Sequence, residues 1–516
     1  MGDNEVVNVG PEPLTFDEVI RVARHGAAVH LTDDAMAAVS AARQRVDELA
    51  ESATPAYGIS TGFGALATRH IDPALRTQLQ RSLVRSHAAG NGPEVETEVV
   101  RALMLLRLHT LATGHTGIRP ATAKTLAALI SAGITPVVHE YGSLGCSGDL
   151  APLAHAALTL MGEGVVRDAS GELTSAAEAL KQAGIEPVEL AAKEGLALIN
   201  GTDGMLGMLI LAIDDLTGLI RTADVSAAMS VEALLGTDRV FAHELQALRP
   251  QPGQALSAAN MVKILQNSGV MESHRDPEAC TRVQDAYSLR CAPQVAGAAR
   301  DTIAHAANVA RWELASAVDN PAVLADGRVE SNGNFHGAPL AYVLDFLAIV
   351  AADVASMSER RTDRFLDVAR NHGLPAFLAD DPGVDSGHMI AQYTQAAIVS
   401  ELKRLAVPAS VDSIPSSAMQ EDHVSMGWSA ARKLRRSVDG LARVLAVEVL
   451  TAARALDLRA PLQPAPATAA VVKALREAVP GPGPDRFLAP EIESAVRLVA
   501  DGSVVAAAES VTGPLA

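Results

Sequence analysis

From about residue 205 the chain runs in long stretches of Ala, Leu and Val whose apolar positions recur with a helical period and few breakers. The pattern predicts helices over roughly 205–237, 255–268, 294–318, 338–360 and 387–404. Helices of that length need partners to cover their apolar stripes, so a bundle is predicted. Aromatic residues make up only 3% of the 516 positions, so the core must be packed through small and aliphatic side chains. Before residue 205 the elements are shorter. Two amphipathic helices are predicted within 14–50, further helices over roughly 73–89, 95–113 and 120–132, and strands at 164–167 and 187–189. Residues 461–490 are rich in proline around one short helix and precede a last helix at about 490–500. The expected fold is mainly α, with an N-terminal domain over 1–204 and a helical bundle with a C-terminal helical cap over 205–516.

The chemistry concentrates in residues 142–155, around Cys146-Ser147-Gly148. This tripeptide can become an electrophile by itself. If the amide nitrogen of Gly148 attacks the Cys146 carbonyl, a five-membered ring closes. Loss of water from that ring and from the Ser147 side chain leaves an exocyclic methylidene on an imidazolone. Gly148 lacks a Cβ, so its nitrogen can approach a carbonyl two residues back. The same stretch also reads as a turn before a helix, with Asp149 as N-cap and Pro152 in the first turn. The two readings are compatible, because a helix start beside the ring would stabilise negative charge building there.

Residues 142–155 resemble the segment that forms 4-methylideneimidazole-5-one (MIO) in the aromatic amino acid ammonia-lyases, where Ala is commoner than Cys at the first position. The resemblance extends over at least six blocks. Tyr57, opening the loop 57–64, resembles the family's loop tyrosine, which implies a base for the β-proton. Asn200 in Asn200-Gly201-Thr202-Asp203-Gly204 resembles the pocket asparagine, and Phe335 a residue packing around the ring. Gln284, Tyr287 and Arg290 resemble a segment supplying an amide, a second tyrosine and a carboxylate clamp. On a helix these three would recur close to one face. His87, after Ser86, and Glu421 resemble the histidine branch, since a carboxylate suits an imidazole N–H and would be an unpaired charge against a phenyl ring.

The resemblance implies deamination of L-histidine to trans-urocanate and ammonia, with no cofactor beyond the self-made MIO and no metal. It also implies an ammonia-lyase/fumarase-like helical fold and a homotetramer with shared sites. The net charge of −18 argues against nucleic acid or an anionic membrane as partner. Cys146, Cys280 and Cys291 form no disulfide framework, and the acidic N-terminus carries no secretory signal, so a cytoplasmic protein is expected. Other motifs fail. The Gly62–Ala67 stretch fits a loose dinucleotide pattern but follows no strand, and Asp149 stands where a hydrolase elbow needs Gly. A tyrosine or phenylalanine lyase and a 2,3-aminomutase are the neighbouring enzyme readings, and a non-catalytic relative is the alternative outside enzymes.

Overall fold

The computed structural model of the protein describes residues 6–51, 58, 59, 61, 71–276, 280 and 282–516. The chain forms two compact units, each assembled from separate stretches. One takes residues 1–211, 307–345 and 408–432, and the other 212–306, 346–407 and 433–516. A single boundary near residue 204 was expected. Four of the five divisions instead fall inside the helices Asp203–Ala233, Ala292–Leu314, Ala338–Leu366 and Gly427–Leu458. Residues 307–345 and 408–432 join the first unit because their polar connections hydrogen-bond its loops: Val323 N–H donates to His115 O at 2.8 Å and Met426 N–H to Leu144 O at 2.9 Å.

In the first unit the helix Thr97–Ala112 is the centre of the core. Every residue from Val99 to Ala112 is buried, as expected for a helix apolar on all sides. It carries two buried arginines, Arg101 and Arg107, whose guanidinium groups donate to main-chain carbonyls. Helices Phe16–His25, Asp33–Glu51, Arg76–His87, Pro120–Ser131 and Leu150–Leu160 belong to the same unit. The first is closed by a Thr15–Glu18 capping box and ended by Gly26 in the left-handed region. Small sheets fill the edges. Val7–Val9 pairs in parallel with Val29–Leu31, and Val165–Arg167 lies between Thr135–Pro136 and Leu173–Ser175. The strand expected at 187–189 does not form. Pro187 supplies no donor, and the segment is held instead by Val188 N–H to Leu160 O at 2.8 Å and by the Arg119 guanidinium to Glu189 O.

In the second unit, buried ion pairs lock neighbouring helices. The Arg361 guanidinium reaches both Glu448 carboxylate oxygens, which also receive the Ser226 and Ser230 hydroxyls. Glu232 receives the Ser268 and Thr468 hydroxyls and the Ala465 N–H. Polar pairs of this kind fix register between helices that otherwise meet through small apolar side chains. The 32-residue helix Gly427–Leu458 was not anticipated. Its basic run Arg432-Lys433-Leu434-Arg435-Arg436 masks an apolar stripe carried by Leu434, Val438, Leu441 and Leu445, all buried. The helix Ala338–Leu366 is long and apolar enough to cross a membrane, yet its most apolar window is 61% buried within the protein, as in a core helix.

His388, just before the helix Met389–Leu405, is buried with Nδ1 3.1 Å from Thr451 Oγ1. Burial, then the positive charges of Arg454, Arg476 and Arg486, lowers its imidazole to about 3. An unfolded histidine titrates near ~6.5. As pH falls through that window, the unfolded chain binds a proton that the folded chain refuses, and stability declines. His388→Gln should flatten the dependence of melting temperature on pH between about 6.5 and 4; an unchanged slope would exclude this histidine as the cause.

Candidate active site

The reactive loop, 142–149, joins the strand His139–Tyr141 to the helix Leu150–Leu160. Its backbone is held from two sides. On one side, Gly148 bridges to Gly201, and Asp149 N–H donates to Gly201 O at 2.7 Å. Gly148 has φ +76°, and a Cβ there would lie 2.0 Å from Gly201 O. Only glycine fits, both in backbone angle and in space. On the other side, Met426 N–H donates to Leu144 O and Ser425 Oγ to Gly145 O at 3.1 Å. Asp149 occupies the N-cap position but does not cap its own helix. Its Oδ2 accepts from Met205 N–H at 2.9 Å, at the start of the helix Asp203–Ala233, and its Oδ1 from the Ser143 hydroxyl at 3.1 Å. It therefore ties the loop to a second helix start. Burial raises this carboxyl to about 7.

Ser147 Oγ donates to Asn200 Oδ1 at 2.7 Å, and Asn200 Nδ2 donates to Asn320 O at 3.0 Å. The second contact fixes which end of the amide faces the serine. Behind Asn200, Arg107 donates to Asn200 O at 3.0 Å and to Ala197 O at 3.1 Å. Lys193 and Asp319, both wholly buried, pair at 2.5 Å next to Asn320. Sequence reading missed these supports. For Arg107 a signal existed, an arginine inside the otherwise apolar run Leu103–Leu108 with no exposed face to occupy.

Glu421 comes within electrostatic reach of both Cys146 and His87. Burial, then the adjacent Glu421 carboxylate, pushes the Cys146 thiol up to about 12. Burial also lowers the His87 imidazole, against opposing pulls from its bond to Leu83 O at 2.9 Å and from Glu421. The thiol is therefore protonated, and Cys146 is no nucleophile. Phe335 is half-buried in the turn before the helix Ala338–Leu366, beside His336, whose ring stacks on His423 at 5.3 Å between centroids.

Gln284, Tyr287 and Arg290 fall in the second unit. They do not share one helix. The helix Tyr287–Arg290 starts at the tyrosine, because Asp285 instead receives the Thr237 N–H at 2.7 Å and the Arg282 guanidinium at 3.0 Å. Gln284 is exposed in the preceding loop, beside a cavity of about 350 Å³ also lined by Asp238, Arg275 and Cys280. The Arg290 guanidinium lies 4.6 Å over the Tyr287 ring, and its buried Nε has no partner among the described residues. This fork can still receive a carboxylate. Tyr57 lies outside the described residues.

A model of the family described as aromatic amino acid lyase matches residues 14–477. The chain belongs to that family. Proteins called histidine ammonia-lyase from Streptomyces avermitilis and Streptomyces coelicolor are 66% and 67% identical to it, over 99% of each chain. Among solved structures, a tyrosine aminomutase from Streptomyces globisporus superimposes with a TM-score of 0.93 at 38% identity, covering 99% of this chain and 100% of that one. Histidine ammonia-lyase from Trypanosoma cruzi gives 0.90 at 37% identity, covering 98% and 96%. This aromatic amino acid lyase is mostly helical and shares the fold of those solved structures.

The thiols of this aromatic amino acid lyase offer a direct check on the site. Bonds from the Arg282 backbone and side chain draw the Cys280 thiol down, the reverse of Cys146. At about pH 8 only about one Cys146 thiol in ten thousand is ionised. Iodoacetamide should therefore label Cys280 at least about a hundredfold faster than Cys146 by peptide mass mapping. Equal rates would show that the Cys146 thiol is not buried and held protonated in the loop.

Proposed function

We propose that this lyase deaminates L-histidine to trans-urocanate and ammonia at a site built around Cys146-Ser147-Gly148. The observation that carries the substrate assignment is the Glu421 carboxylate beside Cys146, within reach of His87. A carboxylate there can accept a hydrogen bond from an imidazole N–H, whereas a phenyl ring offers it no donor. Full-length identity of 66–67% to proteins called histidine ammonia-lyase supports the same choice.

The loop suits MIO formation. Gly148 has no Cβ to clash with Gly201 O, so its nitrogen is free to turn toward the Cys146 carbonyl, and the Ser147 hydroxyl, lost in dehydration, is seated on Asn200. Once formed, MIO supplies an electrophilic methylidene carbon. The chain's own residues supply the rest. Arg290 clamps the substrate carboxylate through its planar fork, and Gln284 and Tyr287 flank it. Tyr57 takes the proton from Cβ. The Cβ–H electron pair becomes the Cα=Cβ bond, and ammonia leaves from Cα with the bonding pair. Asn200, Phe335 and His87 shape the pocket, and Glu421 orients the imidazole. A cytoplasmic homotetramer with shared sites, without nucleic acid or membrane partners, completes the reading. Large apolar side chains left at the surface, such as Tyr287 at 70% and Trp312 at 68% exposure, are suited to subunit contacts.

The test is ultraviolet absorbance of the purified protein with L-histidine, L-phenylalanine or L-tyrosine. Absorbance should rise with histidine alone. Ser147→Ala should lose the ring's near-ultraviolet band and reduce turnover by at least about a thousandfold. A rise only with tyrosine, or formation of a β-amino acid, would move the assignment to a tyrosine lyase or an aminomutase. Full activity in Ser147→Ala would end it.

A further inference from the structure

We infer that Ser416 is a positioning residue for Glu421, and that the short turn between them sets the preference of the site for a substrate ring bearing an N–H. The inference rests on the proposed function and deepens it.

Ser416 holds Glu421 by both side chain and main chain. Its hydroxyl donates to Glu421 Oε2 at 3.0 Å. Its N–H donates to Glu421 O at 2.9 Å, and Glu421 N–H returns a bond to Ser416 O at 3.3 Å. Between these ends the backbone folds back through Ser417, Ala418 and Met419, at φ +51°, +52° and +70°. None is glycine, and left-handed angles at three successive side-chain-bearing residues are disfavoured. Such a run persists only where closing interactions over-determine it, as the bonds between residues 416 and 421 do here.

Downstream the same segment is stitched to the reactive loop. Val424 N–H donates to Ser413 Oγ at 3.0 Å, and Ser425 and Met426 bond to Gly145 and Leu144. The main chain on both sides of Glu421 is therefore fixed relative to Cys146. What remains free is the carboxylate's rotation about its own side chain. The Ser416 hydroxyl removes that freedom, so the acceptor direction is set before substrate arrives. An imidazole N–H gains from an oriented acceptor, and a phenyl ring does not.

The backbone of Ser416 is extended, at φ −137° and ψ −179°, so threonine fits the position and keeps the hydroxyl. Ser416→Ala should raise KM for L-histidine about tenfold or more, the weight of a hydrogen bond to a charged acceptor, with a smaller change in kcat. Ser416→Thr should restore KM to within about threefold of the parent. In a Glu421→Gln background, where that charged acceptor is gone, Ser416→Ala should add little further loss. Ring absorbance and melting temperature should stay near the parent's in Ser416→Ala, which separates positioning from damage to the loop. An unchanged KM in Ser416→Ala would overturn the inference, as would an equal loss in both backgrounds. A parent protein inactive on histidine would overturn the substrate reading and this inference together, whereas a histidine-active parent indifferent to Ser416→Ala overturns the inference alone.

Discussion

One buried guanidinium carries the floor of the reactive loop. Arg107 gathers the carbonyls of Ala197, Asn200 and Val318 and pairs with Asp203 at 3.2 Å, with 2% of its side chain exposed. These acceptors come from two stretches of chain, 197–203 and the segment at Val318, which the guanidinium joins. Removing the arginine would strand three carbonyls and a buried carboxylate, at a cost of about 3–5 kcal/mol. The consequence passes outward through Gly201. A Cβ on Gly201 would sit 2.4 Å from Arg107 Nη2, and a Cβ on Gly148 would sit 2.0 Å from Gly201 O. Arginine, glycine and glycine are stacked so tightly that each dictates the next. The position of Ser147 follows from that stack, because its hydrogen-bond partner Asn200 hangs from the same guanidinium.

A second buried charge pair extends the floor. Lys193, at φ +69°, donates to Thr116 O and to Asp319. The chain then turns at Asn320, whose carbonyl receives the Asn200 amide and whose side-chain oxygen receives Asn332 N–H at 3.0 Å and the Ser331 hydroxyl at 3.1 Å. The hydroxyl of Ser147 thus belongs to a polar lattice running from Asn200 through Asn320 to Lys193. Such a lattice is rigid only when its members are paired, and here the links between them are made. Rigidity has a chemical value at this place. A serine that must lose its hydroxyl, and a glycine nitrogen that must meet a carbonyl, both depend on a backbone that does not drift.

The long helices were legible because a helical period repeated over twenty or more residues survives local noise, as in Asp203–Ala233 and Ala338–Leu366. Gly427–Leu458 was hidden by its basic run, in which Arg432 and Arg435 lie largely buried while their charged ends reach Glu96 and Asp215. The pairing of Ser147 with Asn200 was legible through resemblance alone, since fifty-three positions separate them and no local rule links the two. Gln284 was misplaced because i, i+3 spacing is as compatible with a loop leading into a helix as with the helix itself. The discontinuous units were out of reach. Whether a polar connection such as 315–337 packs forward or backward depends on partners like His115 and Asn200, which its own composition does not name.

Cys146 shows how a variant residue can sit in a demanding position. Cyclisation uses only its backbone, so the side chain must merely be small. Yet the thiol is not inert in the surrounding field. Held protonated by burial, it faces Glu421 as a weak donor and not as a second anion. A side chain ionising near neutral pH would have set two negative charges against each other beside the loop. Burial and the neighbouring carboxylate both keep the proton on the thiol, so cysteine and glutamate share this corner without two like charges.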